Sequence, residues 1–206
     1  MKKVLAFFGA FNPPTKAHVE LSKLAMEQTG NEGVVFVPSK ASYILDEQKK
    51  SFAFSDEDRL MMLYQLSHTY HWICTNNYDI YAKEQPRSYE TLKHLRDFCH
   101  FEPTLLVGAD QFCDMARNWK YVPEIAEEFG IVCLTRSIHD AEYVLANHPF
   151  YQKIADHVQI VKAPDEYRNI SSSRVRAYMK VIEEGYADLK EALPEEIYDY
   201  IKENYL

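Results

Sequence analysis

Gly9-Ala10-Phe11-Asn12-Pro13-Pro14-Thr15-Lys16-Ala17-His18 is the stretch whose reading decides the fold. It follows an apolar run, Val4-Leu5-Ala6-Phe7-Phe8, that reads as a buried strand. It precedes a helical pattern in which Leu21, Leu24, Ala25 and Gln28 share one face. A strand that breaks at glycine and restarts as a helix makes a corner suited to phosphate, because the helix N-terminus offers unpaired N–H groups and a positive dipole end. Gly9 brings the backbone close to a ligand, and Pro13 and Pro14 stiffen the loop. Thr15 is placed to cap the helix, with His18 in its first turn, so that both face a phosphate. Taken alone, the same residues also read as a capped helix after a tight turn, with His18 an ordinary first-turn histidine.

Outward from this corner, apolar runs alternate with amphipathic stretches. Strands are expected at Lys3–Phe8, Gly33–Pro38, Trp72–Cys74, Thr104–Gly108, Ile131–Thr135 and Val158–Val161. Helices are expected at Lys16–Thr29, Asp56–His68, Tyr89–Cys99, Pro123–Glu128, Ala141–Asn147, Ser172–Glu184 and Pro194–Asn204. This alternation predicts an α/β, Rossmann-like, mainly parallel sheet with helices on both faces and a small C-terminal helical portion from about residue 170. At 206 residues the chain is read as one domain. The polar stretch Ser39–Ser55 is expected to be a mobile loop.

The net charge of −8 and the absence of a basic block argue against a nucleic-acid partner. Cys74, Cys99, Cys113 and Cys133 have no CxxC spacing and no clustered histidines, so neither a zinc site nor a disulfide framework is expected, and a cytoplasmic location fits. The apolar N-terminal run is too short for a signal peptide, and no run reaches membrane-spanning length. The sequence leaves the oligomeric state open, a homo-oligomer included.

A second constellation is Ile170-Ser171-Ser172-Ser173-Arg174-Val175-Arg176. Its serines offer caps and hydroxyl donors at a helix start. Arginines in the first turns oppose the helix dipole, a cost that an anionic ligand would offset. A Ser-capped helix with solvated arginines is the plainer reading.

Together, Gly-Ala-Phe-Asn-Pro-Pro-Thr-x-Ala-His and Ile-Ser-Ser-Ser-x-Val-Arg resemble the two signatures of the nucleotidyltransferase superfamily, usually written (H/T)xGH and ISSTxxR. More narrowly, the chain resembles the nicotinate or nicotinamide mononucleotide adenylyltransferases over almost its whole length. Leu106-Val107-Gly108-Ala109-Asp110 followed by Trp119, Tyr89-Glu90-Thr91-Leu92, and Leu193-Pro194-Glu195-Glu196-Ile197 resemble further family segments. The resemblance implies adenylyl transfer from ATP to nicotinate mononucleotide, giving nicotinate adenine dinucleotide and pyrophosphate in NAD biosynthesis.

By that resemblance, His18, Thr15 and Arg176 are catalytic. Gly9, Ala10, Phe11, Gly108, Asp110, Ile170, Ser172 and Ser173 join them in binding ATP. Lys49 or its neighbour Lys50, Tyr89, Thr91, Trp119 and Arg136 would meet the mononucleotide, with Trp119 stacking on the pyridine ring. Mg²⁺ is expected on the phosphates rather than on protein carboxylates. Locally, Asp110 also reads as a helix N-cap, Trp119 as core, Tyr89 and Thr91 as the first turn of an amphipathic helix, and the lysine pair as solvated.

Ala10 and Ala17 stand where bacterial members carry glycines. The Pro-Pro-His-Lys segment of bacterial nicotinate enzymes is missing after Val37-Pro38, where the chain continues Ser39-Lys40-Ala41-Ser42-Tyr43. The Gly-Ala-Phe-Asn-Pro and Glu-Thr-Leu-Lys segments lean toward nicotinamide-accepting or dual-specificity relatives. A non-catalytic nucleotide-binding regulator on the same fold is the alternative of another class.

Overall fold

Six strands form one sheet, and the burial of three of its apolar runs shows how it is covered. Val4–Phe8 are all buried, as are Gly33–Pro38 and Ile131–Thr135, the continuous pattern of strands covered on both faces. The computed structural model describes residues 1–135, 138–180 and 186–206. In chain order the elements are β1 (Lys2–Gly9), α1 (Lys16–Gln28), β2 (Gly33–Pro38), α2 (Ala41–Asp46), α3 (Asp56–Thr69), β3 (Ile73–Thr75), α4 (Tyr78–Tyr81), α5 (Ser88–Asp97) and β4 (Phe101–Gly108). There follow α6 (Ala109–Asn118), α7 (Val122–Phe129), β5 (Ile131–Thr135), α8 (Ile138–Asn147), α9 (Pro149–Gln152), β6 (Val158–Lys162), α10 (Ser172–Tyr178), α11 (Tyr186–Ala192) and α12 (Glu195–Tyr205).

The sheet order is β3-β2-β1-β4-β5-β6. β1 pairs with β4, β4 with β5 and β5 with β6, all parallel, with Phe7 opposite Leu106 and Gly108 opposite Leu134. This is the Rossmann-like α/β arrangement expected from the sequence, and ligands in such sheets bind outside the carboxyl ends of the strands. Gly9 ends β1 and Gly108 ends β4. Among the described residues, no helix is long and apolar enough to cross a membrane.

The chain divides into two compact units that interleave in sequence. One comprises residues 1–8, 21–35 and 86–168, the other 9–20, 36–85 and 169–206. The core of the first unit gathers Leu5, Ala6, Leu105, Leu106, Val107, Phe112, Met115, Ile125 and Cys133, all fully buried. There the Tyr151 hydroxyl donates to the Phe112 carbonyl at 2.5 Å and accepts the Ala116 N–H at 3.2 Å, seating α9 against α6. In the second unit α3 starts on Ser55, whose hydroxyl accepts the Asp58 N–H, and Asp56, Glu57 and Asp58 complement the dipole of its first turn. The Tyr200 hydroxyl donates to Asp58 at 2.6 Å, and Tyr205 donates to the same carboxylate, latching α12 onto the start of α3.

Three expectations change. Ser39–Ser55 is not a plain loop: it carries α2, with Ile44 fully buried, and the Ala41 N–H donates to Asp56 at 2.7 Å. α6 is a helix not expected from the sequence, with Phe112 and Met115 as its buried anchors. α10 ends at Tyr178 rather than Glu184, and residues 181–185 lie outside those described.

Candidate active site

The first signature lies in the second unit and is built around His18. The Thr15 N–H donates to His18 Nδ1 at 3.0 Å, and the Thr15 hydroxyl lies 2.8 Å from the same nitrogen. His18 thereby closes back on the residue before the helix, as an acidic side chain does in a capping box. A nitrogen that accepts a backbone N–H cannot itself carry the proton, so the neutral ring holds its proton on Nε2, and that nitrogen is the donor. Thr15 is fully buried, so its hydroxyl orients the histidine rather than facing a phosphate. The ring of Phe11 packs edge-on against His18, with centroids 5.3 Å apart, and leans on Phe36 at 5.0 Å. Phe11 takes φ of 42°, a left-handed backbone costly for an aromatic residue, about 1–3 kcal/mol. Gly9 makes room for it: a Cβ there would stand 3.0 Å from the Phe11 ring. Ala10 and Ala17 need no glycine conformation, Ala17 lying buried in α1.

The second signature, in the same unit, closes on the first. Ser171 is the N-cap of α10, accepting the Arg174 N–H at 3.3 Å. The Ser172 hydroxyl donates to the Pro13 carbonyl at 2.8 Å. Arg176 Nη1 donates to the Asn12 carbonyl at 2.6 Å, and Nη2 donates to the Ser173 hydroxyl at 3.1 Å. Ile170 is half-buried just ahead of the cap. Arg176 is thus held on neutral oxygens with its charge uncompensated by them, and burial lowers its pKa from the usual arginine range.

Lys49 and Lys50 differ in their surroundings. Lys49 is exposed, with φ of 53°. Lys50 is half-buried; burial first, then the charges of Arg176 and Arg59, push its ammonium below the usual lysine range. Of the two candidates, Lys50 is therefore the half-buried one, and its ammonium feels the charges of Arg176 and Arg59. Lys40 is committed elsewhere: its ammonium donates to the carbonyls of Ile80 at 2.5 Å and Ala82 at 2.7 Å, the C-terminal end of α4.

Sequence reasoning missed two buried polar residues here, Asn12 in its wider role and Arg59. Arg59 donates to the Ala10 carbonyl at 2.9 Å and the Phe54 carbonyl at 3.3 Å, and pairs with Asp56. A signal was present: Arg59 stands three, four and seven residues before Met62, Leu63 and Leu66, a charge set in the apolar stripe of α3.

The remaining candidates lie in the first unit. Gly108 is the N-cap of α6 and Asp110 is exposed in its first turn, so Asp110 is not the cap. Trp119 ends α6, half-buried. Tyr89 donates to Glu128 at 2.5 Å and stacks on Tyr121 with centroids 5.3 Å apart, which ties its ring to α7 and its neighbours. Thr91 is fully buried. Arg136 lies outside the described residues. Among the described residues no group of three His, Cys, Asp or Glu side chains is arranged to hold a metal ion.

A family model described as cytidylyltransferase-like matches residues 6–178. The chain is 27% identical over 205 residues to "Probable nicotinate-nucleotide adenylyltransferase" of Carboxydothermus hydrogenoformans, covering 99% of this chain and 97% of that one. It is 25% identical over 218 residues to "Nicotinamide/nicotinic acid mononucleotide adenylyltransferase" of Arabidopsis thaliana, covering 98% of this chain and 89% of that one. Among solved structures it is similar to "Plasmodium falciparum nicotinic acid mononucleotide adenylyltransferase complexed with NaAD", with a TM-score of 0.75, 19% identity and coverage of 100% and 97%.

Proposed function

This chain belongs to the cytidylyltransferase-like family, and from that premise we propose that it transfers the adenylyl group of ATP to nicotinate mononucleotide, yielding nicotinate adenine dinucleotide and pyrophosphate as a step of NAD biosynthesis. The observation that carries this reading is the meeting of the two signatures: Arg176 on the Asn12 carbonyl and Ser172 on the Pro13 carbonyl, beside a histidine whose tautomer is set.

The chemistry follows from the charges. An oxygen of the mononucleotide 5′-phosphate attacks the α-phosphorus of ATP; a P–O bond forms there as the bond to the bridging oxygen breaks, and pyrophosphate departs. The nucleophile is already an anion, so no base is needed, and positioning with charge stabilisation supplies the rate. His18 donates from Nε2 to the phosphate oxygens that gain charge in the transition state. Arg176 holds the β- and γ-phosphates, with Ser173 steadying its guanidinium. Gly9, Ala10 and Phe11 form the wall beside the triphosphate, with Ile170 and Ser172 across from it. Lys50 receives the acceptor phosphate. Asp110 meets a ribose hydroxyl and Trp119 stacks on the pyridine ring, with Gly108 allowing close approach. The cradle residues, His18, Lys50 and Arg176, are neutral or cationic, which suits a Mg²⁺ ion brought in on phosphate oxygens and water; when bound it would supply neutralisation of triphosphate charge. Nicotinamide mononucleotide is the second acceptor to consider, since relatives from Arabidopsis thaliana and Oryza sativa are named for both.

Purified protein with Mg-ATP should release pyrophosphate with nicotinate mononucleotide, and the ratio of kcat/KM for the two mononucleotides names the acceptor. ATP binding without release with either one would replace this reading with a non-catalytic nucleotide-binding role.

A further inference from the structure

Residues 50–54 form an arm between α2 and α3, and side chains from elsewhere in the second unit take up its backbone polar groups. The Asn12 amide accepts the Phe54 N–H at 2.8 Å through Oδ1 and donates to the Phe52 carbonyl at 2.8 Å through Nδ2. The amide orientation is dictated by these partners, since the N–H needs an acceptor and the carbonyl a donor. Arg59 adds a bond from Nε to the Phe54 carbonyl at 3.3 Å, and from Nη1 to the Ala10 carbonyl at 2.9 Å. Both side chains are fully buried. Lys50 sits two residues before Phe52, its own N–H donating to the Ile44 carbonyl at 3.2 Å.

Asn12 therefore works in two directions. Its main-chain carbonyl receives Arg176, and its side chain receives the arm that carries Lys50. We infer that Asn12, backed by Arg59, is a positioning residue that sets the separation between the two cations of the site, Arg176 on its carbonyl and Lys50 on the arm bound to its amide. Neither side chain needs to touch a nucleotide for this. A lysine has four rotatable side-chain bonds, so the placing of its ammonium depends on how firmly its backbone is held. Arg59 holds the arm and the Ala10 turn with one planar fork, a geometry an ammonium cannot reproduce. The identity of the phosphate at Lys50 rests on the adenylyltransferase reading; the clamp itself does not.

The test uses Asn12→Ala, which deletes the amide but keeps the carbonyl that binds Arg176. Its first readout needs no activity: acetylation by an N-hydroxysuccinimide ester, with Lys50 compared to Lys49 by peptide mass spectrometry, with and without nicotinate mononucleotide. We expect the Lys50-to-Lys49 ratio to rise about threefold or more and protection by the mononucleotide to disappear. We expect the mononucleotide KM to rise roughly tenfold or more while the ATP KM stays within about threefold. Two outcomes overturn the inference: a folded variant with the ratio and both KM values within about twofold of the parent, or one in which all lysines gain reactivity alike. If Asn12→Ala does not fold, the same readings on Arg59→Lys decide. A parent protein that turns over neither mononucleotide refutes the proposed function, while the Lys50-to-Lys49 ratio without ligand still tests the clamp.

Discussion

Replacing His18 with alanine separates catalysis from folding. The ring contributes to stability in two ways: it packs edge-on against Phe11, worth about 1 kcal/mol, and it accepts the Thr15 N–H, worth about 1 kcal/mol. A loss near 2 kcal/mol in a chain of this length lowers the melting temperature by roughly 4–8 °C. A protein with ordinary stability of about 5–15 kcal/mol stays almost fully folded at 25 °C after such a loss. The catalytic loss is larger. A single pre-aimed donor to a charge developing in the transition state accounts for about 2.7–4 kcal/mol, or roughly 10²–10³ in turnover. On the proposed reaction the Nε2 proton is such a donor, because Thr15 fixes the tautomer from the other side of the ring. His18→Ala should therefore lower kcat and kcat/KM together by at least about 10²-fold, since the lost interaction belongs to the transition state. Pyrophosphate release at saturating ATP and mononucleotide measures this, with a thermal melt on the same sample. A variant that melts in the expected range and turns over within about tenfold of the parent would refute the assigned role of His18.

Trp119→Ala should raise the mononucleotide KM more than the ATP KM; equal changes in both, measured by initial rates, argue against pyridine stacking. The Asp58 network gives a pH signature. Burial pushes the Asp58 carboxyl up, but the hydroxyls of Ser55, Tyr200 and Tyr205 outweigh it and hold it below the usual carboxylate range. Such a carboxylate adds stability above its ordinary value near ~4 that is lost as pH falls through the lowered one. Burial and Asp58 push the Tyr200 hydroxyl up to about 12, so its contribution is complete below the ordinary value of ~10 and lost as pH rises toward the raised one. The melting-temperature gap between the parent and Tyr200→Phe should hold steady between these limits and shrink outside them; a gap that ignores pH rules the network out as its source. Burial, with a smaller push from Cys113, raises the Cys133 thiol to about 12, so iodoacetamide on the native protein should modify exposed Cys74 and spare Cys133 until denaturant is added. Equal labelling of the two under native conditions would contradict the burial of β5.

The sheet was most legible where its strands are apolar throughout: Gly33–Pro38 and Ile131–Thr135 have the bounds that composition alone suggested. Helices with full stripes, such as α1 and α3, were legible for the same reason. α6 and the short α2, α4 and α9 were not; each buries only one or two side chains. The two signatures pointed to Thr15, His18, Ser172, Ser173 and Arg176, which share one unit. What the linear pattern could not give was direction. It placed Thr15 facing a phosphate, where burial turns its hydroxyl to the histidine, and it could not choose between Lys49 and Lys50. The bonds of Asn12 to Phe52 and Phe54, and of Arg59 to Ala10, join segments 40, 42 and 49 residues apart, with no local trace except a charge in an apolar stripe.

The bonds between the signatures span 159 and 164 residues of chain. Loops that long close late in folding, after the local helices and neighbouring strands have formed. A nascent chain thus carries His18 long before Arg176 has been synthesised and can dock on the Asn12 carbonyl. Products that stop before residue 172, through premature termination or proteolysis, lack both side chains that make these bonds, Ser172 and Arg176. The distance in sequence makes the junction of the two signatures a late event: on the proposed reaction, a triphosphate would find its cradle only after the second signature has docked on the first.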